Sequence, residues 1–154
     1  PVAERREHAR RMGADVAVSP EELGDVRSGD GPDLLYELSG QPAALDDAVA
    51  AAGFDSRIVV GSWYGTKRAS LDLGADFHRD RISIVSSQVS TLAPESRGRW
   101  DKSRRLSTAL EQLQRLDTDP LVTHRIPFDD APTAYDRLDD GRSDCLQILL
   151  SYDD

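Results

Sequence analysis

Three short stretches carry residues suited to holding a flat polar ligand: Ser39-Gly40, Gly61-Ser62 and Ser86-Ser87-Gln88. Each follows a compact apolar run. Each offers small side chains, hydroxyls and accessible main chain, which let a ligand approach the backbone closely. One such end could be a simple strand terminator; three in register point to a binding site. The remaining candidates read as structural. His8, His78 and His124 are far apart and share no metal-ligand spacing. His8 is expected on an exposed helix. Asp46-Asp47, Asp129-Asp130 and Asp139-Asp140 fall at helix starts, helix ends or exposed faces, where solvation and capping account for them better than acid–base catalysis. Gly29-Asp30-Gly31 is a lone G-x-G with no strand before it, so it is not read as a phosphate loop. Trp63-Tyr64 place two aromatics on a loop, where they could line a substrate pocket or a subunit contact.

The elements that position these residues follow from apolar periodicity. A charged helix is expected over 2–12, with Ala9 and Met12 inward and Gly13 as its stop. A short strand is expected over 15–18, then a loop or short helix over 21–31. Leu34 to Leu38 reads as a compact buried strand. Pro42 opens a helix with a stripe of Ala44, Leu45, Ala48, Val49 and Ala52, ended by Gly53. Arg57 to Val60 is a strand closed by Gly61. A short strand over 70–73, a turn or helix through His78 and a strand over 82–85 follow. Residues 91–102 are irregular, with Pro94 and Gly98. Leu106, Leu110, Leu113 and Leu116 share one face of a helix over 103–116. A strand over 124–128, a helix capped by Asp130 and stopped by Gly141, and a strand over 146–150 complete the chain.

Short apolar strands alternating with helices imply an α/β fold with a parallel sheet covered on both faces. In such sheets ligands bind beyond the carboxyl ends of the strands, where the three small-residue stretches lie. The length of 154 residues suits a domain with its own core. The formal charge of −9 disfavours nucleic acid and anionic membranes as partners. No apolar run approaches the ~20 residues of a membrane span. Lys67 and Lys102 are the only lysines among many arginines, and Asp far outnumbers Glu. That balance suits solubility in high salt; a GC-rich genome is the other reading. Cys145, the single cysteine, forms no internal disulfide and fits a cytoplasmic protein.

Arg5, Ala9 and Gly13-Ala14-Asp15 resemble the segment after the second strand of medium-chain, zinc-type alcohol dehydrogenases. Tyr36-Glu37-Leu38-Ser39-Gly40 resembles that family's fourth strand, and Ile58-Val59-Val60-Gly61 its fifth. Thr123-His124-Arg125-Ile126-Pro127-Phe128, with Ala131-Pro132 and Ala134-Tyr135, resembles its closing segment. The ordered match covers nearly the whole chain. Phe77-His78-Arg79 to Ser87-Gln88, with Arg99-Trp100, is most similar to the polyol, threonine and bacteriochlorophyllide dehydrogenase branches.

The resemblance implies an incomplete Rossmann-type, doubly wound parallel sheet lacking its first βα unit. It divides the chain into a partial NAD(P)-binding domain over 1–120 and a closing strand-helix-strand segment over 121–154, which would meet an upstream catalytic domain. Arg5 is expected at the adenosine ribose. Leu38 and Ser39 are expected at the adenine side, and Val60, Gly61 and Ser62 at the nicotinamide. Backbone groups of Ser86 and Ser87 are expected at the carboxamide. NAD or NADP is the implied cofactor; Arg5 and Arg6 are compatible with either. Zinc, the glycine turn and the catalytic residues are expected upstream of Pro1, so none is assigned here, and the fragment alone is expected to be inactive. Cys145 stands near where some relatives place a phosphate-contacting arginine, a role open to Arg142. His124 is expected to be structural. The implied activity is hydride transfer between a secondary alcohol and NAD(P)⁺, with a small alcohol or ketone as substrate and a homodimer or homotetramer as the assembly. The alternatives are a zinc-free medium-chain reductase of activated double bonds, a non-enzymatic nucleotide-binding domain and, more remotely, another nucleotide-binding α/β family such as a methyltransferase.

Overall fold

The computed structural model describes residues 2–26, 30–141 and 144–152. Gly29 of the G-x-G stretch and Arg142 lie outside them. The chain forms two compact units, one of residues 19–102 and the other of 1–18 with 103–154.

The 19–102 unit holds a parallel three-stranded sheet ordered β1-β2-β3: Leu34–Glu37, Arg57–Val60 and Ser83–Ser86. A 3-10 helix, Pro20–Val26, precedes it. Helix α2, Pro42–Ala51, joins β1 to β2, with Pro42 in its first turn where a missing N–H costs nothing. Its apolar stripe buries Leu45 and Val49, and these pack with Ala52, Ile58 and Ile82 as the core. Each fully buried aliphatic side chain of this kind contributes roughly 1.5–3 kcal/mol. Leu35, Val60 and Ile84 close the core from the strands. Phe77, on the short helix α3 (Asp76–Arg79), also packs against it.

Gly53 is buried where the chain turns from α2 to β2. A Cβ there would collide with the Asp30 carbonyl and stand 3.0 Å from the Gly31 backbone, so only glycine fits.

β1 is not buried on both sides. Leu35 and Glu37 face the core, whereas Leu34 and Tyr36 are exposed. The strand alternates with period two, as a strand covered on one face does.

The other unit holds α1 (Ala3–Arg11), α4 (Lys102–Leu113), β4 (Val122–Pro127), α5 (Ala131–Asp139) and β5 (Gln147–Ser151). β4 and β5 pair in parallel. Gly13, at φ +100°, ends α1, and Gly141, at φ +62°, ends α5.

Several expectations are corrected. Residues 15–18 and 70–73 are not strands. A strand exists only through its ladder, and among the described residues neither segment has one. α1 buries no residue, and Met12 is 42% exposed. Leu106, Leu110 and Leu113 of α4, and Leu116 just beyond its end, are likewise more than half exposed. Asp130 stands at the N-cap of α5 but makes no side-chain cap bond.

Candidate functional site

Strand register brings the three small-residue stretches together. Glu37 lies opposite Val60, and Val60 opposite Ser86. The next residues continue the ladder: the Gly61 N–H donates to the Glu37 carbonyl at 2.9 Å, and the Ser87 N–H to the Val60 carbonyl at 2.8 Å. Leu38-Ser39, Gly61-Ser62 and Ser86-Ser87 therefore line one carboxyl edge. A crevice at such an edge is where ligands bind in open α/β sheets.

Glu37 organises this edge. Alternation along β1 turns it to the core side, where it is 4% exposed. Its Oε1 accepts from the Ser39 N–H at 2.7 Å, the Ser39 hydroxyl at 2.5 Å and the Gly40 N–H at 3.1 Å. Its Oε2 accepts from the Ser62 hydroxyl and from the Tyr64 hydroxyl at 2.7 Å. Burial alone would raise this carboxyl, but the hydrogen bonds from Ser39, Ser62 and Tyr64 outweigh burial and lower it to about 2. Burial, reinforced by the negative charge it donates to, lifts the Tyr64 phenol to about 12. The Lys67 ammonium donates to the Gly40 carbonyl at 2.9 Å, tying the same two loops. Gly40 has φ +65°, and a Cβ there would stand 3.1 Å from the Trp63 carbonyl. Glycine thus permits both the turn and the close approach of the loops.

On the solvent side Leu38 is 69% exposed and Trp63 89%. At Gly61 a Cβ would meet Leu38 Cδ2 at 2.7 Å, so the glycine preserves the space beside Leu38. Ser39, Ser86 and Ser87 are exposed, and Ser62 and Val60 half-buried. An apolar cavity of about 510 Å³ adjoins Leu38 and Ser39 along the β1 edge, walled by Leu23, Leu35, Ala44 and Ala48. The apolar wall beside Leu38 and Ser39 suits a flat heterocycle, and the hydroxyls and open main chain at Gly61-Ser62 and Ser86-Ser87 suit an amide-bearing ring such as nicotinamide.

Arg5 belongs to the other unit. Its guanidinium donates to the Cys145 carbonyl at 3.3 Å, beside a pocket that His8 and Thr123 also line. His8 is half-buried rather than exposed, and its Nδ1 has no partner. His124 links the elements of that unit. Arg137 Nη1 lies 3.2 Å from His124 Nε2, and Thr123 Oγ1 lies 3.0 Å from Nδ1. A guanidinium only donates, so Nε2 accepts and the proton is assigned to Nδ1. Thr123 Oγ1 in turn donates to the Gln147 carbonyl and accepts from the Leu146 N–H.

Among the paired carboxylates, Asp46 accepts from the Asp72 N–H at 3.0 Å and so anchors a loop. Among the described residues, no group of three or more His, Cys, Asp or Glu side chains is placed to hold a metal ion.

The fold and the edge define a parallel α/β protein of Rossmann type. The family profile described as zinc-binding dehydrogenase matches residues 1–112, and the chain belongs to that family. It is 27% identical over 153 residues to L-threonine 3-dehydrogenase of Pyrococcus abyssi (strain GE5 / Orsay), covering 95% of this chain and 41% of the relative. It is 26% identical over 143 residues to D-guloside 3-dehydrogenase of Escherichia coli (strain K12), covering 88% and 41%. The fold is similar to that of a crystal structure described as a short chain alcohol dehydrogenase from E. coli CFT073 complexed with cofactor NADH. The TM-score is 0.77 at 21% identity, covering 98% of this chain and 42% of the other. It is also similar to L-idonate 5-dehydrogenase from Escherichia coli, with TM-score 0.73 at 19% identity, covering 99% and 41%. The chain thus spans about two fifths of the length of the curated relatives it matches.

Glu37 is the residue that sequence reasoning missed. It was visible only as one letter of the fourth-strand resemblance. The signal available was a carboxylate at the last, core-facing position of an apolar strand, two residues before Ser39-Gly40.

Proposed function

We propose that this chain is the cofactor-binding part of an NAD(P)-dependent alcohol or polyol dehydrogenase. The observation that carries the proposal is the shared carboxyl edge of β1, β2 and β3, bounded by small and hydroxylic residues, in a member of a dehydrogenase family. When bound, a nicotinamide would supply the hydride acceptor for a secondary alcohol carbon. Val60, Gly61 and Ser62 form the surface against which the ring lies. Main-chain groups of Ser86 and Ser87 hold its carboxamide and select the exposed ring face. Leu38 and Ser39 bound the adenine side. These roles are confined to residues of the 19–102 unit.

The test is a ¹⁵N–¹H NMR titration of the chain with nicotinamide mononucleotide. Amides of Gly61, Ser62 and Ser87 are expected to shift in a saturable, coupled manner. Shifts scattered over the surface, or none, would sink the proposal. Parallel titrations with NAD⁺ and NADP⁺ measure which dinucleotide is preferred.

The assembly we propose is a homodimer or higher oligomer that pairs the outer edge of β3, which has no strand beside it among the described residues. Light scattering reads its mass. No described helix is long and apolar enough to cross a membrane. We assign the chain to the cytoplasm on its single cysteine, and to high-salt conditions on its acidic, lysine-poor surface. Full stability in dilute buffer would remove the salt assignment.

A further inference from the structure

Among the described residues, no cation is paired directly with Glu37. All five of its hydrogen-bond donors are neutral: two main-chain N–H groups, two serine hydroxyls and a phenol. Lys67, the cation on the same loops, donates to the Gly40 carbonyl instead. The carboxylate is 4% exposed, so solvent screens it less than it would an exposed side chain. Those donors also hold it ionised across the working pH range. Through Ser62 it stands one hydrogen bond behind Gly61-Ser62, and through Ser39 one behind the loop after β1.

We infer that Glu37 biases this edge toward the oxidised form of a nicotinamide. The oxidised ring carries a positive charge and the reduced ring none, while the rest of the nucleotide is the same in both. A fixed negative charge behind Gly61-Ser62 therefore lowers the free energy of one redox form and leaves the other nearly untouched. One unit charge acting through an intermediate dielectric over roughly 8 Å changes relative affinity by about tenfold. The inference rests on the cofactor site proposed above.

The experiment measures dissociation constants of oxidised and reduced nicotinamide mononucleotide by NMR titration of the whole chain. The readout is the ratio of the two constants, which loss of scaffolding alone would not move. Glu37→Gln keeps the size and removes the charge. It is expected to weaken the oxidised form about tenfold relative to the reduced form. Glu37→Asp and Glu37→Asn are a second pair, equally shortened and differing in charge. The Asp variant should keep the wild-type ratio, and the Asn variant should lose it. This pair decides the matter should Glu37→Gln fail to fold. Equal ratios in the charged and neutral variants overturn the inference while leaving the site intact. Absence of coupled shifts at Gly61, Ser62 and Ser87 with either form overturns the site itself, and the inference with it.

Discussion

The Glu37 network predicts a specific pH dependence of stability. Glu37→Gln keeps an amide oxygen for the Ser39 and Gly40 N–H groups. Its NH₂ then faces the Ser62 and Tyr64 hydroxyls, which can rotate to accept. The substitution therefore removes mainly the charge. In the folded protein the carboxyl is lowered from 4.5 to about 2. A lowering of that size corresponds to about 3 kcal/mol of stabilisation of the folded state. The network sits at the open end of the sheet, and solvent screening reduces the expected figure to about 2 kcal/mol. A depressed carboxyl stabilises the fold above its unfolded value of 4.5, and that contribution is lost as pH falls toward 2. Wild type should thus exceed Glu37→Gln by about 2 kcal/mol at pH 7, with the gap narrowing below pH 4.5. Urea unfolding followed by tryptophan fluorescence measures it. Both tryptophans, Trp63 and Trp100, lie in the 19–102 unit with Glu37. The other carboxylates are common to both proteins and cancel in the difference. Parallel stability curves from pH 7 to pH 3 would refute the argument.

Three further perturbations test the packing. Ile58 is 0% exposed at the centre of the core, so Ile58→Ala should cost about 3–4 kcal/mol, read from the same urea transition; a loss under 1 kcal/mol would mean that the core is not packed there as described. Gly53→Ala drives a Cβ into the Asp30 and Gly31 backbone, so it should destabilise by about 1–3 kcal/mol. An unchanged thermal midpoint would contradict the crowding. Thr123→Val preserves shape but strips the partners of the Leu146 N–H and the Gln147 carbonyl. It should cost about 1–3 kcal/mol, visible as faster amide exchange at Leu146; unaltered protection would sink that assignment.

Much of the architecture was legible in the sequence because it rests on local periodicity and punctuation. β2 falls on Arg57–Val60 as expected, since a β-branched run bounded by Ser56 and Gly61 has few other solutions. Pro42 and Gly53 bracket α2 for equally local reasons. The three strand ends were legible as a set because parallel register follows from the repeating pattern. The errors fall where a partner decides. Residues 15–18 alternate like a strand but pair with none among the described residues. The leucines of α4 share a face, as their spacing requires, yet that face is exposed. Spacing fixes which residues lie together on a helix, not what covers them.

The sequence by itself determined a parallel α/β chain of dehydrogenase type and the residues that follow its strands. Only the tertiary structure decided what holds that edge together. Glu37 reads as an ordinary charged residue until Ser62 and Tyr64, 25 and 27 residues away, turn their hydroxyls to it. The same carboxylate in water would keep its ordinary acidity; here neutral donors fixed by the fold hold it ionised while burial removes the solvent. Such a charge depends on distances between loops, and no pattern along one stretch of chain encodes them.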